Sequence, residues 1–147
     1  MKTIYQLRED RDRIARTQAA SLSAKPLGLK PVNGLFASDE WWRNVDTGVI
    51  PVLRYAGTIT RLFRSGMHNE SECFEITSWD GQTFQYDRTA LHRKDRKLYK
   101  VGAYVELAFV RQELKQPVLT TTGDIYDTHA RCLIEVRITE GPHGIST

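Results

Sequence analysis

CFEITSWDGQTFQYD, residues 73–87, carries the strongest local signal in the chain: Asp80-Gly81 stands between two runs in which β-branched or aromatic residues alternate with polar ones. Asp-Gly in that setting is a hairpin turn. Two registers are open. A two-residue loop pairs Trp79 with Gln82 and sets Trp79, Phe84 and Tyr86 on the face opposite Phe74 and Ile76. A three-residue loop, with Gly81 left-handed, pairs Ser78 with Gln82, Ile76 with Phe84 and Phe74 with Tyr86, so that four large residues share one core face. The second register is preferred, because a slip of one residue exposes a whole hydrophobic set. It leaves Trp79 at the loop tip, within reach of a partner.

Around this hairpin the same period of two continues. Strands are expected near 52–64, 73–78, 82–88, 103–112 and 131–139, from their β-branched and aromatic content. Gly57, inside the first of them, marks a bend or bulge. Val105, Leu107 and Phe109 share one face of the fourth strand. Cys132, Ile134, Val136 and Ile138 share one face of the fifth, with Glu135 and Arg137 turned out.

Upstream the pattern is helical. Ile4, Leu7 and Ile14 recur near helical spacing, and Arg8/Asp12, Glu9/Arg13 and Asp12/Arg16 are opposite charges four apart, so a helical arm is expected over about 4–20. Residues 21–34, with Pro26, Gly28, Pro31 and Gly34, read as a linker. Ser38 caps a short helix that has Asp39 and Glu40 in its first turn, and Gly48 and Pro51 stop it. Trp41 and Trp42 point about 100° apart on that helix. One of them is therefore a candidate exposed protein contact, although the favoured reading is a helix that plugs the end of a barrel. The organisation expected is an arm, linker and short helix over 1–48, a barrel over 49–139 and a flexible tail over 140–147.

Length and composition bound the rest. A chain of 147 residues, 40% hydrophobic and 27% charged, is long enough for one well-packed domain. No run approaches the ~18 apolar residues of a membrane span, and no secretory leader is visible at the start, so the expected compartment is the cytoplasm and no membrane is expected as partner. Cys73 and Cys132 sit in apolar stretches and read as buried thiols; a disulfide is not indicated. The charge is uneven: residues 88–100 hold Arg88, Arg93, Lys94, Arg96, Lys97 and Lys100 against Asp95 alone, in a chain whose net charge is only +3.

Five strands with a short helical connection between the third and fourth, and with a glycine-bent first strand, resemble an oligonucleotide/oligosaccharide-binding (OB) barrel. YAGTITRLF, CFEITSWDGQTFQYD and YKVGAYVELAFV carry the likeness, which covers about residues 49–139. Small SH3-like barrels share these features. The fold class expected is mainly β (α+β), an OB-like or SH3-like five-stranded barrel. The resemblance implies a ligand surface on the second and third strands and on the loops after the first and fourth. That places Arg61, Arg64 and the loops 65–71 and 115–129 on it, together with Phe84, Tyr86 and Trp79 if these are exposed.

No catalytic constellation is visible, and the expectation is a binding module that is not an enzyme. His129-x-x-Cys132 has no second pair of matching spacing, so neither a metal nor another cofactor is expected. His68, His92 and His143 read as loop residues, and Glu70, Glu72, Glu75, Asp124 and Asp127 as solvated acids. The main functional expectation is binding of single-stranded nucleic acid. Arg61, Arg64, Arg88, Arg93, Lys94, Arg96 and Lys97 would neutralise phosphates while Trp79 stacks on bases. The competing expectation is a protein–protein adaptor or inhibitor docking through the Trp41–Trp42 helix and the N-terminal arm, because tryptophan and arginine are enriched at interface hot spots.

Overall fold

The 73–87 hairpin forms in the three-residue register. In the computed structural model, which describes residues 1–140, β3 (Ser71–Thr77) pairs antiparallel with β4 (Thr83–Asp87). Ile76 faces Phe84 and Phe74 faces Tyr86. Ser78 N donates to Gln82 O at 2.8 Å, Gly81 N donates to Ser78 O at 2.9 Å, and Gly81 sits at φ +86°, the left-handed conformation the turn requires. Phe74 and Ile76 are buried, whereas Phe84 and Tyr86 are only half-buried. They share a face with the core pair as expected, but β4 is the last strand of the sheet order.

Six strands make one sheet in the order β1-β6-β5-β2-β3-β4. β2 is Val52–Ser65, β5 is Tyr104–Leu119 and β6 is Ile125–Ile138. The mainly-β class expected from the sequence is what the chain adopts, with two corrections. The sheet has six strands rather than five, because the N-terminus opens with a strand, β1 (Lys2–Gln6), that pairs antiparallel with β6. The helix expected from residue 4 starts later, as α1 (Arg11–Leu22), after a 3-10 turn over Leu7–Glu9. Helical spacing of Ile4 and Leu7 is a local preference worth tenths of a kcal/mol per residue, and burial of Ile4 and Tyr5 on the sheet outweighs it. The second correction concerns length. β5 and β6 run on through most of the span 115–129 expected as a loop, turning only at 120–124.

The chain divides into two compact units. The first is built from Met1–Gln6, Arg54–Ala108 and the residues from Ile134 on; the second from Leu7–Leu53 and Phe109–Leu133. In the first, Ile4, Ile59, Phe74, Ile76, Val105 and Val136 form the core. Leu91 N donates to Ile4 O at 2.8 Å, tying the segment after β4 to β1, the strand at the other end of the sheet order. Gly57 is fixed by close approach: a Cβ there would lie 2.5 Å from Thr77 O. The expected irregularity follows it, as a register shift between Ile59 and Arg61.

In the second unit, Asp10 caps α1 by accepting from Arg13 N at 3.3 Å. Lys115 Nζ closes the other end, donating to the carbonyls of Ala20, Ser21 and Ser23 at 2.8, 3.1 and 2.9 Å, where a cation also suits the helix dipole. α2 (Asp39–Asp46) starts as expected, with Ser38 Oγ accepting from Trp41 N. Cys73 and Cys132 are both free and buried. The C-terminal tail and His143 lie outside the described residues.

Candidate partner-binding surface

The hairpin register that buries Phe74 and Ile76 also places Trp79 where its indole cannot be covered by the hairpin itself. It sits at the tip, 98% exposed, more than any other large hydrophobic residue of the described chain. The loop beneath it is rigid. Ser78 Oγ donates to the Asp80 carboxylate and Gln82 N donates to it at 3.4 Å, and these bonds hold Asp80 below the usual carboxylate range. A tip pinned in this way loses little conformational freedom when it meets a partner.

Beside Trp79 lies a groove of about 660 Å³ lined by Arg54, Tyr55, Gly57, Asp80, Phe84 and Tyr104. β2 supplies the first side, because Gly57 lets its backbone press against Thr77. The aromatic wall is ordered: Tyr55 and Phe84 stack at 4.2 Å with an 11° interplanar angle, and Tyr86 continues the stack 6.2 Å from Phe84. A smaller hollow of about 260 Å³ shares Arg54, Tyr55 and Ala56 and extends to Glu106, Glu135 and Arg137. There Arg137 and Glu106 pair at 3.2 Å. Aromatic rings, an exposed guanidinium and a rim of paired charges are the composition of a protein-binding hot spot.

The residues expected to grip phosphates are not gathered into such a surface. Arg61 donates to Glu75 at 3.3 Å. Glu75 also accepts from Gln85 at 2.6 Å, and these bonds, Gln85's foremost, hold its carboxyl below the ordinary value. Glu72 takes three arginines: Arg64 at 3.2 Å, Arg96 at 2.8 Å and Arg88 at 3.7 Å. Arg88 donates in addition to the carbonyls of Cys73 and Phe63, and Arg96 to that of Arg88. Four of the seven cations thus knit strands and the 93–98 turn together. Arg93, Lys94 and Lys97 stay exposed on that 3-10 turn, whose Asp95 is buried and paired with Lys2 at 3.0 Å.

The two tryptophans of α2 part company. Trp41 is fully buried, its indole N–H donating to Gln112 Oε1 at 2.9 Å, so it is a core residue and offers nothing to a protein contact. Trp42 is half-buried beneath Arg8, whose guanidinium lies 3.9 Å from its ring, and Arg8 pairs in turn with Asp46 at 3.3 Å. Arg54, Tyr55 and Tyr104 escape sequence reasoning as site residues. Tyr55 lies two residues before the glycine whose bend was legible, and that proximity is the only signal for it. No group of three or more metal-binding side chains occurs among the described residues, and no helix among them is long and apolar enough to cross a membrane.

Residues 1–139 match the family model described as Immunity protein RhsI2. No curated protein matches the chain. The family match spans all but the last eight residues, and the chain belongs to that family. An immunity protein works on a protein partner. This overturns the expectation of single-stranded nucleic acid, the ligand for which Arg61, Arg64, Trp79, Arg88, Arg93, Lys94, Arg96 and Lys97 are the residues that the sequence offers. The competing expectation, a protein inhibitor, agrees with the family.

Proposed function

We propose that this chain neutralises a protein toxin by binding it, without catalysis, and that the toxin docks on the Trp79 face of the first unit. Family membership supports the first half. The observation that carries the second is a 98% exposed tryptophan, braced by Asp80 and Ser78, beside a groove walled by Tyr55 and Phe84. A fully exposed indole contributes nothing to the free fold, yet its burial against a partner is worth several kcal/mol of association. Arg54 and Asp80 line the groove beside that anchor and supply a polar rim to exclude water from it, and the Arg137–Glu106 pair lines the adjoining hollow.

Co-expression tests the reading. Cells producing the toxin that the intact chain neutralises should survive with the wild-type protein and with variants in the exposed 3-10 turn (Arg93→Ala, Lys94→Ala, Lys97→Ala). They should die, or grow far more slowly, with Trp79→Ala or Phe84→Ala at equal protein level. Equal protection by all of these variants would remove the Trp79 face from the account. Protection without a complex detectable by size-exclusion chromatography would remove binding as the mechanism.

A further inference from the structure

The second unit contains a two-stranded ribbon that the Trp79 face does not account for. Every residue from 116 to 128 at the end of β5 and the start of β6 is exposed. Four of them are large and apolar: Val118, Leu119, Ile125 and Tyr126, exposed by 47, 53, 65 and 75%. A ribbon with no role beyond connecting two strands would carry polar side chains there, since a long apolar ribbon is an aggregation hazard.

The turn fixes which of these side chains share a face. Thr120 N donates to Asp124 O at 2.8 Å and Gly123 N to Thr120 O at 3.0 Å, with Gly123 at φ +90°. Counting back from that closure sets Leu119 opposite Ile125 and Val118 opposite Tyr126. Successive residues of a strand point to opposite faces, so each face of the ribbon bears one apolar cross-strand pair. The formal charges between Gln116 and Thr128 are Asp124 and Asp127, both negative, in a chain whose net charge is +3. Their carboxylates accept from Thr122 Oγ1 and His129 N, bonds that orient them, and among the described residues no cation pairs with either.

Resting on the reading of this chain as a toxin-binding inhibitor, we infer that the ribbon end, residues 118–127, inserts into a concave, cationic cleft of that protein partner. A flat partner surface would cover one apolar pair and leave the other in water. A cleft covers both, and basic walls complement Asp124 and Asp127. The rigid turn at 120–124 lets the ribbon enter with little loss of conformational freedom.

The test uses the full chain and the purified toxin that it neutralises. Double substitution Ile125→Ser/Tyr126→Ser alters one residue of each apolar pair at exposed positions, and should weaken binding at least tenfold with unchanged thermal stability. Asp124→Lys/Asp127→Lys should slow association at least tenfold in low salt, an effect that shrinks as salt is added. Hydroxyl-radical footprinting of the wild-type complex should protect Leu119 with Ile125 and also Val118 with Tyr126. Protection of one pair alone, or binding by the double serine variant within twofold of wild type, overturns the cleft. A wild-type chain that dimerises by itself and becomes monomeric in the serine variant makes a second copy the occupant, which also overturns it. A wild-type chain that fails to bind the toxin at all strikes the underlying inhibitor reading instead.

Discussion

Trp79 and Trp41 show how two residues of one type take opposite roles by position. Trp41 fills the core of the second unit and satisfies its indole N–H on Gln112, so Trp41→Ala should cost about 3–5 kcal/mol of stability, read as a shifted midpoint in urea. Trp79→Ala should leave that midpoint within about 0.5 kcal/mol of wild type, because no apolar contact of the fold is lost. Of the two, only the place of Trp79 was legible in the sequence. The sequence placed Trp79 at a loop tip through the register of its hairpin, but for the α2 pair it offered only their angular separation, and which one faces inward depends on Gln112, 71 positions away. The cysteines were legible, as apolar-flanked thiols. Burial pushes the Cys132 thiol up to about 11, so it stays protonated in the fold well above the pH at which an unfolded thiol ionises. Its contribution to stability is therefore intact below about pH 8.5 and declines as pH rises from there through 11. Alkylation at pH 8 should accordingly proceed at the unfolding-limited rate, and fast labelling of the native protein would show that the site is open.

At the scale of elements, what the sequence carries well is local pattern backed by turn chemistry. β2, β3 and β4 lie within two residues of their expected bounds, and the three-residue hairpin forms in the register that hydrophobic pairing favours. Where long-range pairing decides, local pattern misleads. β1 reads as helix because Ile4 and Leu7 are three apart, yet its hydrogen bonds go to β6, more than 120 residues later. The ribbon of β5 and β6 reads as the loop after the fourth strand of a five-stranded barrel, yet only 120–124 turns. Gly57 is the element-scale feature most open to test. Gly57→Ala forces a methyl to within 2.5 Å of Thr77 O and should destabilise the protein by about 1–3 kcal/mol, while also shifting β2 where it lines the Tyr55–Phe84 groove. Removing the Glu72 carboxylate tests the arginine cluster: Glu72→Ala takes the one carboxylate from half-buried Arg88, which keeps its bonds to the carbonyls of Cys73 and Phe63, and should cost about 1–3 kcal/mol. A midpoint unchanged by that substitution would mean that Arg88 and Arg96 are held by their carbonyl partners and that the Arg64 pair contributes nothing measurable.

On the scale of the whole molecule, the lesson is that a run of charge in sequence becomes a charged surface only in part, since Arg93, Lys94 and Lys97 stay exposed while others are paired. Residues 88–100 are the most basic stretch of the chain, but folding directs Arg88 and Arg96 onto Glu72, beside Arg64, and sets Asp95 against Lys2. Sequence spacing sees none of these partners, since they come from other strands. The mainly-β class was legible from period-two patterning; the binding class was not, because it rests on which aromatic side chains the finished sheet leaves uncovered. Family membership and that uncovered face point the same way, toward a protein partner. The measurement that bears most directly on this is the affinity of the wild-type chain and of Trp79→Ala for the purified toxin, by biolayer interferometry at physiological salt. The account predicts a tight wild-type complex and a loss of about 30-fold or more for Trp79→Ala, carried mainly by faster dissociation, as removal of a hot-spot tryptophan entails. Equal affinities for the two proteins, each shown to be folded, would contradict it.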